Sequence, residues 1–208
     1  YFHVKQIPET LLNQLDPPDV PAEPALDQEI VAHFLPESLI YFTERGEFRH
    51  VVAIFISFEG IASIAEFNDW AFVLIENINR FSGYFNHIDF GDKGGVVVCG
   101  FGAPIAYENM IDRALSFILS VREDLKGFEN LSGLKFRAGI TYGFAYAGIA
   151  GGQKRCEYTF YGEVVNLASR LMSNADWGEI VVSEDVSHET EAVFNFEYKS
   201  TSQYKGIA

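Results

Sequence analysis

The chain has 208 residues, 48% of them hydrophobic, which is enough for one sizeable domain with a packed core and a lead-in segment. Acidic residues outnumber basic ones 29 to 15, a net charge of -14, and a surface of that sign repels nucleic-acid phosphates and anionic lipid. The longest strongly apolar run, Val51 to Ile56, is too short to cross a bilayer and no signal peptide is visible, so a soluble, cytoplasmic domain without membrane or nucleic-acid partners is expected.

The first segment differs from the rest. Asp16-Pro-Pro-Asp-Val-Pro-Ala-Glu-Pro24 is acidic and proline-rich and reads as an extended linker, followed by an amphipathic stretch from Asp27 to Phe42 with helical character. Residues 1–46 are therefore assigned to a linker or lead-in and 47–208 to the folded domain. From Arg49 to Ser57 the chain is apolar and β-branched, as a buried strand should be, and helical spacing follows from about Ile64 to Phe81. A hairpin is predicted around Gly91 to Gly95, then a helix from about Asn109 to Lys126. Two strands are expected at Lys135 to Tyr142 and Tyr146 to Ile149, then a strand through Thr159, a helix through Asn166 and a strand at Ile180. Strands alternating with helices and interposed hairpins predict an α+β domain, with helices against one face of a layered sheet. Cys99 and Cys156 lack metal-ligand spacing and read as buried free thiols in a reducing compartment. The five histidines are scattered without ligand spacing, which disfavours a transition-metal site.

One stretch concentrates chemistry: Glu157-Tyr-Thr-Phe-Tyr-Gly-Glu-Val-Val-Asn-Leu-Ala-Ser-Arg-Leu171. Tyr158 to Tyr161 is strand-like, Gly162 punctuates it, and Val165, Ala168, Leu171 and Met172 recur at helical spacing. Asn166 and Arg170 are then i and i+4 neighbours on one helical face. An amide that gives or takes hydrogen bonds thus stands beside a permanently charged fork suited to phosphate oxygens, with Thr159 on the strand before them. Half of a nucleotide site is the reading. In isolation Thr159 is an ordinary strand former, Asn166 a helix cap and Arg170 a surface ion-pair partner; their joint spacing favours the functional reading.

This stretch resembles the class III nucleotidyl cyclase signature, Tyr-Thr/Asp-x-x-Gly-x-x-Val-Asn-x-Ala-x-Arg. The resemblance runs from about Phe48 to Gly206 and includes Arg137-Ala-Gly-Ile-Thr-Tyr-Gly-Phe-Ala-Tyr-Ala-Gly-Ile-Ala-Gly151, Gly178-Glu-Ile-Val-Val-Ser183 and Tyr204-Lys-Gly206. It implies a ferredoxin-like nucleotidyl cyclase fold, a mostly antiparallel sheet with helices packed on it. It also implies a head-to-tail dimer: one subunit supplies two metal-binding aspartates and a base-reading lysine, the other supplies Thr or Asp, Asn and Arg. Two Mg²⁺ ions need hard carboxylate oxygens. At the first carboxylate position this chain has Ser57, within Phe55-Ile-Ser-Phe58, and in Ile88-Asp-Phe-Gly-Asp92 it retains Asp92 while Ile88 replaces the lysine. With its metal partner gone, Asp92 is assigned a turn-capping role, and Asp89 and Glu59 are weak substitutes off the motif position.

The complementary set is kept. By resemblance, Thr159 and the main-chain N–H of Phe160 would bind the base, and Asn166 and Arg170 would be catalytic. A hydroxyl that accepts from an exocyclic amine favours adenine. Asp92-Lys-Gly94, Cys99-Gly-Phe-Gly-Ala-Pro104 and Glu47-Phe-Arg-His-Val-Val52 are similar to the C2 half of soluble, bicarbonate-responsive tandem adenylyl cyclases. The expectation is the second half of an adenylate cyclase making 3',5'-cyclic AMP from ATP, with Mg²⁺ held mainly by a C1-type partner domain. Alone, or as a homodimer, the chain is expected to be almost inactive. The alternative is a pseudocyclase that binds nucleotide or assembles without turnover; an RNA-binding ferredoxin-like domain is disfavoured by the acidic charge.

Overall fold

The computed structural model describes Leu39 and residues 46–91, 94–152 and 155–199. Residues Phe42–Ala208 make up one compact unit, to which all that follows refers. Its elements are β1 (Glu47–Glu59), α1 (Ile64–Arg80), β2 (Tyr84–Gly91), β3 (Gly94–Phe101), α2 (Met110–Asp124), two 3-10 turns, β4 (Lys135–Gly152), β5 (Arg155–Tyr161), α3 (Glu163–Asn174), β6 (Ile180–Val182) and α4 (Glu184–Thr190). The lead-in segment apart from Leu39 and Gly46, together with Asp92, Lys93 and the Tyr204-Lys-Gly206 stretch, lies outside the described residues.

The sheet runs β2-β3-β1-β4-β5, with β6 pairing on β4. All pairs are antiparallel except β4 with β6. The βαββαβ order with β1 between β3 and β4 is the ferredoxin-like arrangement, so the expected fold class is observed. β1 is central and buried on both faces, which explains its near-continuous apolar sequence. Val52, Ile54, Ile56 and Phe58 alternate toward a core built with α1 and α2, whose Trp70, Leu74, Ile78, Phe117 and Ile118 are buried there. The α1 start is set by Ser63, whose Oγ accepts from Glu66 N at 3.2 Å, while Glu66 Oε2 accepts from Ala62 N at 2.8 Å.

Helices do not keep to one face, contrary to the sequence expectation. Phe136, Ala138 and Ile140 of β4 face the α1/α2 core, so the alternate residues Arg137, Gly139, Thr141 and Gly143 face away from it, and α3 packs on that second side. Small residues make this approach possible. A Cβ on Gly139 would stand 2.1 Å from Ala168 O, and one on Gly143 would stand 3.2 Å from Val164 Cγ2.

The two strands expected between Lys135 and Ile149 are one. β4 pairs with β1 without interruption from Glu59↔Lys135 to Glu47↔Ala147, and a ladder that is continuous on one edge leaves no room for a turn at Gly143. On its other edge β4 is shared, carrying β6 at Ala138–Ile140 and β5 from Tyr146 to Gly152. Helix α4, after Ser183, was not foreseen; its Val186 is fully buried against the core. Cys99 is buried, and burial pushes its thiol well above the usual thiol range. Cys156 is exposed because it sits near the turn end of the β4–β5 hairpin, opposite Gly151, so half of the buried-thiol expectation is overturned.

Candidate active site

Strand β5 runs into α3 through Gly162, and Asn166 N donates to Gly162 O at 3.2 Å to close the first helical turn. A Cβ on Gly162 would come within 3.3 Å of Ala145 Cα and Cβ, so the turn lies flat against β4. Thr159 is buried opposite Gly148. Phe160 is buried over Gly100, whose added Cβ would meet Phe160 Cε2 at 2.9 Å, and its ring makes an edge contact with Tyr84, centroids 5.8 Å apart. On α3, Asn166 is exposed and Arg170 half-buried one turn later, as the i and i+4 spacing predicts. Val165, Ala168 and Met172 take the buried stripe, which leaves Asn166 and Arg170 off the face that meets the sheet.

The helix is fastened at both ends. Thr141 Oγ1 donates to Val164 O at 2.7 Å. At the other end, Arg137 Nη1 donates to Ala175 O at 2.8 Å and Ser173 O at 3.3 Å, and its guanidinium lies over Trp177 at 4.7 Å from the ring centroid. A cation at a helix C-terminus meets unpaired carbonyls and the negative end of the dipole, so this placement is favourable. Arg137 was read only as a strand residue. Its signal in the sequence is parity, because it heads the Arg137, Gly139, Thr141, Gly143 series that faces α3.

Beside the C-terminal end of α3 opens a cleft of about 710 Å³, lined among others by Ser57, His87, Asp89, Arg137, Met172 and Ser173. Ser57 is 6% exposed and stands opposite Arg137 across the β1–β4 ladder. Two Mg²⁺ ions would need carboxylates here, and the described residues do not fit them. Position 57 offers a hydroxyl, Glu59 faces Lys135 at 4.0 Å, Asp89 is engaged with His87 at 3.3 Å, and no group of three His, Cys, Asp or Glu among the described residues could hold a metal ion.

The structure also bears on position 88, where the resemblance implies a base-reading lysine. Ile88 does not look into the cleft; it is half-buried against the α1/α2 core, opposite Val97. A β-bulge between Phe85 and His87 puts His87 and Asp89 on the cleft side. Strands β2 and β5, at opposite ends of the sheet order, nevertheless touch: Asn86 Nδ2 donates to Tyr158 O at 2.8 Å, and Tyr84 Oη donates to the same carbonyl at 3.0 Å. The start of β2 is thus held against Tyr158, the residue before Thr159, within one protomer. Burial pushes the Tyr84 hydroxyl up to about 12, with the neighbouring Tyr158 and Glu157 adding to the shift, so it stays a donor at neutral pH.

Comparison with known proteins bears on this arrangement. The profile of the adenylate and guanylate cyclase catalytic domain matches residues 47–207, more than half of the chain. The chain belongs to that family. Among curated relatives, adenylate cyclase 1 of Rhizobium meliloti is 33% identical over 121 residues, 54% of this chain and 18% of the relative. An uncharacterised protein of Mycobacterium tuberculosis is 25% identical over 155 residues, 69% of this chain and 28% of that protein. The chain thus spans less than a third of the length of these relatives. In fold it is similar to the adenylyl cyclase CyaB of P. aeruginosa, with TM-score 0.70 and 22% identity over 79% of this chain and 92% of that one. It is similar also to the catalytic core of a rhodopsin-guanylyl cyclase with converted specificity solved with ATPalphaS, with TM-score 0.67 and 22% identity over 79% and 94% of the two chains. No helix among the described residues is long and apolar enough to cross a membrane.

Proposed function

We propose that this cyclase domain is a C2-type half-site: it binds ATP through Thr159, Phe160, Asn166 and Arg170 and completes its reaction against a C1-type partner domain that holds the Mg²⁺ ions. The observation that carries this reading is the asymmetry of the site. The strand, glycine turn and helix bearing Thr159, Asn166 and Arg170 are built and fastened at both ends, while the metal position next to Arg137 is a buried serine.

The reaction is intramolecular. The ribose 3'-oxygen attacks the α-phosphorus, the bond to the bridging oxygen breaks, pyrophosphate leaves, and the 3'-hydroxyl proton is released. Thr159 Oγ1 accepts from the exocyclic amine of adenine, and the Phe160 N–H faces the same edge. Asn166 holds the ribose so that attack is in line. Arg170 meets the charge that develops on the α-phosphate and leaving group; removing one such preorganised contact costs about 10²–10³ in rate. Mg²⁺ held by carboxylates of the partner domain would supply Lewis acidity at the phosphates, since the described residues of this chain's cleft offer no carboxylate set for it.

The test is cyclic AMP formation from Mg-ATP by this chain alone, by the chain with a C1-type cyclase domain, and by that pair carrying Arg170→Ala. Turnover in the pair alone, reduced about 10²–10³-fold by Arg170→Ala, is the expected result. An inactive pair, or one indifferent to Arg170, would leave a pseudocyclase, the reading that Ser57 favours for the isolated chain.

A further inference from the structure

Thr141 lies in the middle of β4 with no exposure at all, on the side of the strand that meets α3. Its Oγ1 donates at 2.7 Å to Val164 O, a carbonyl in the first turn of α3, two residues before Asn166. Two neighbours on the same side of β4 complete the seat of that turn: Gly143 leaves the space that the Val164 side chain takes, and Ala145 lies under Gly162. The N-cap of α3 is Gly162, which has no side chain to cap the helix, so the strand hydroxyl is what ties the first turn in place. Stability alone does not call for a hydroxyl here. A buried hydroxyl is costly unless it is bonded, and valine has nearly the same shape. Val164 O, inside a helix, also serves the N–H four residues on, so Thr141→Val would leave no orphaned acceptor. What valine cannot supply is direction.

We propose that Thr141 is a positioning residue for the cyclase reaction: by holding Val164 O it fixes how far along β4 the start of α3 stands and how the helix is rolled, and so aims the Asn166 amide at the ribose. This rests on the half-site reading above and adds a residue to it. Asn166 is exposed, so its placement is governed by the backbone turn that carries it rather than by packing around its amide. Asn166 in turn acts on the line of attack of the 3'-oxygen, an effect realised in the transition state. Loosening its aim should therefore lower kcat and kcat/KM together and leave KM for ATP in place.

The experiment compares Thr141→Val and Thr141→Ser in this chain paired with a C1-type cyclase domain, by initial rates of cyclic AMP formation from Mg-ATP and by a thermal melt of each variant. The two variants should rank oppositely in the two readouts. Thr141→Val keeps the shape and should melt within about 2 °C of wild type, yet lower kcat about tenfold with KM within about twofold, since a 1 Å misplacement costs about 10²-fold and the loss of one tether should cost less. Thr141→Ser keeps the donor and loses a buried methyl, so it should melt about 2–5 °C lower and turn over within about twofold of wild type. In an Asn166→Ala background Thr141→Val should add no further loss, because nothing is left to aim. A kcat that follows the melting temperatures, with Thr141→Ser the slower of the two, overturns the proposal. So does a Thr141→Val protein that turns over like wild type, or one whose full loss persists in the Asn166→Ala background. Each of these leaves the half-site reading standing so long as Arg170→Ala is slow. An inactive wild-type pair, or Asn166→Ala and Arg170→Ala both turning over like wild type, overturns the half-site reading and this inference with it.

Discussion

Gly139 is the position at which the geometry of α3 can be tested most directly. A Cβ added there would lie 2.1 Å from Ala168 O, 2.3 Å from Met172 N and 3.0 Å from Leu171 Cβ. Carbon atoms pack at about 3.5–4.0 Å, so Gly139→Ala requires α3 to retreat by on the order of 1 Å. Two of the three obstructing atoms are backbone, so no change of rotamer relieves the contact. The retreat works against the Thr141 bond to Val164 O and the Arg137 bonds to Ser173 O and Ala175 O. Overpacking of this kind costs about 1–3 kcal/mol. At about 2–4 °C per kcal/mol for a domain of this size, thermal unfolding should fall by roughly 2–12 °C. The functional loss should exceed the structural one if Asn166 and Arg170 act as proposed, because a displacement of about 1 Å in positioned groups costs on the order of 10²-fold in rate. Gly127→Ala, where an added Cβ meets nothing within 4 Å, is the control. The assay is cyclic AMP formation by the C1 pair beside a thermal melt of each variant. A Gly139→Ala protein that melts and turns over like wild type would refute the claim that α3 is seated directly on β4.

Two further outcomes follow from the fastenings of the site. Arg137→Met keeps most of the side-chain volume but removes the donors to Ser173 O and Ala175 O and the stack on Trp177; it should cost about 1.5–3 kcal/mol in urea unfolding and change the emission of Trp177, and an unaltered spectrum would show that the stack does not persist in solution. For Tyr84, the folded state holds the phenolic proton up to about 12 against an ordinary value of 10.0, so above about pH 10 the unfolded chain binds fewer protons than the folded one and stability falls with rising pH until the folded group also ionises. Tyr84→Phe should lose about 1 kcal/mol at neutral pH, where the bond to Tyr158 O is gone, and should lack this alkaline decline; parallel stability profiles for the two proteins between about pH 9 and pH 12 would rule the coupling out.

Much of this molecule was legible without coordinates. The apolar run of β1, the helical spacing of α1, α2 and α3, the Gly162 break and the i, i+4 placement of Asn166 and Arg170 are local patterns, fixed by side-chain period and turn chemistry over a few residues. The same kind of pattern identified the family and the serine at position 57, where the resemblance implies a carboxylate. Tertiary structure decided four other matters. α3 lies on the far side of the sheet from α1 and α2 because Gly139 and Gly143 leave space there, and a glycine in a strand does not announce which helix will use it. β4 is continuous because β1 pairs along its length, a register set by residues some 90 positions away. β2 meets β5 through Tyr84 and Asn86 although three strands separate them in the sheet, since twist brings the two sides of the sheet toward each other. The bulge at Phe85/His87 shifts parity by one residue, which turned Ile88 into the core and His87 into the cleft. A sequence motif counts residues, whereas a sheet counts paired ones, and a single unpaired residue is enough to turn the side chains after it to opposite faces.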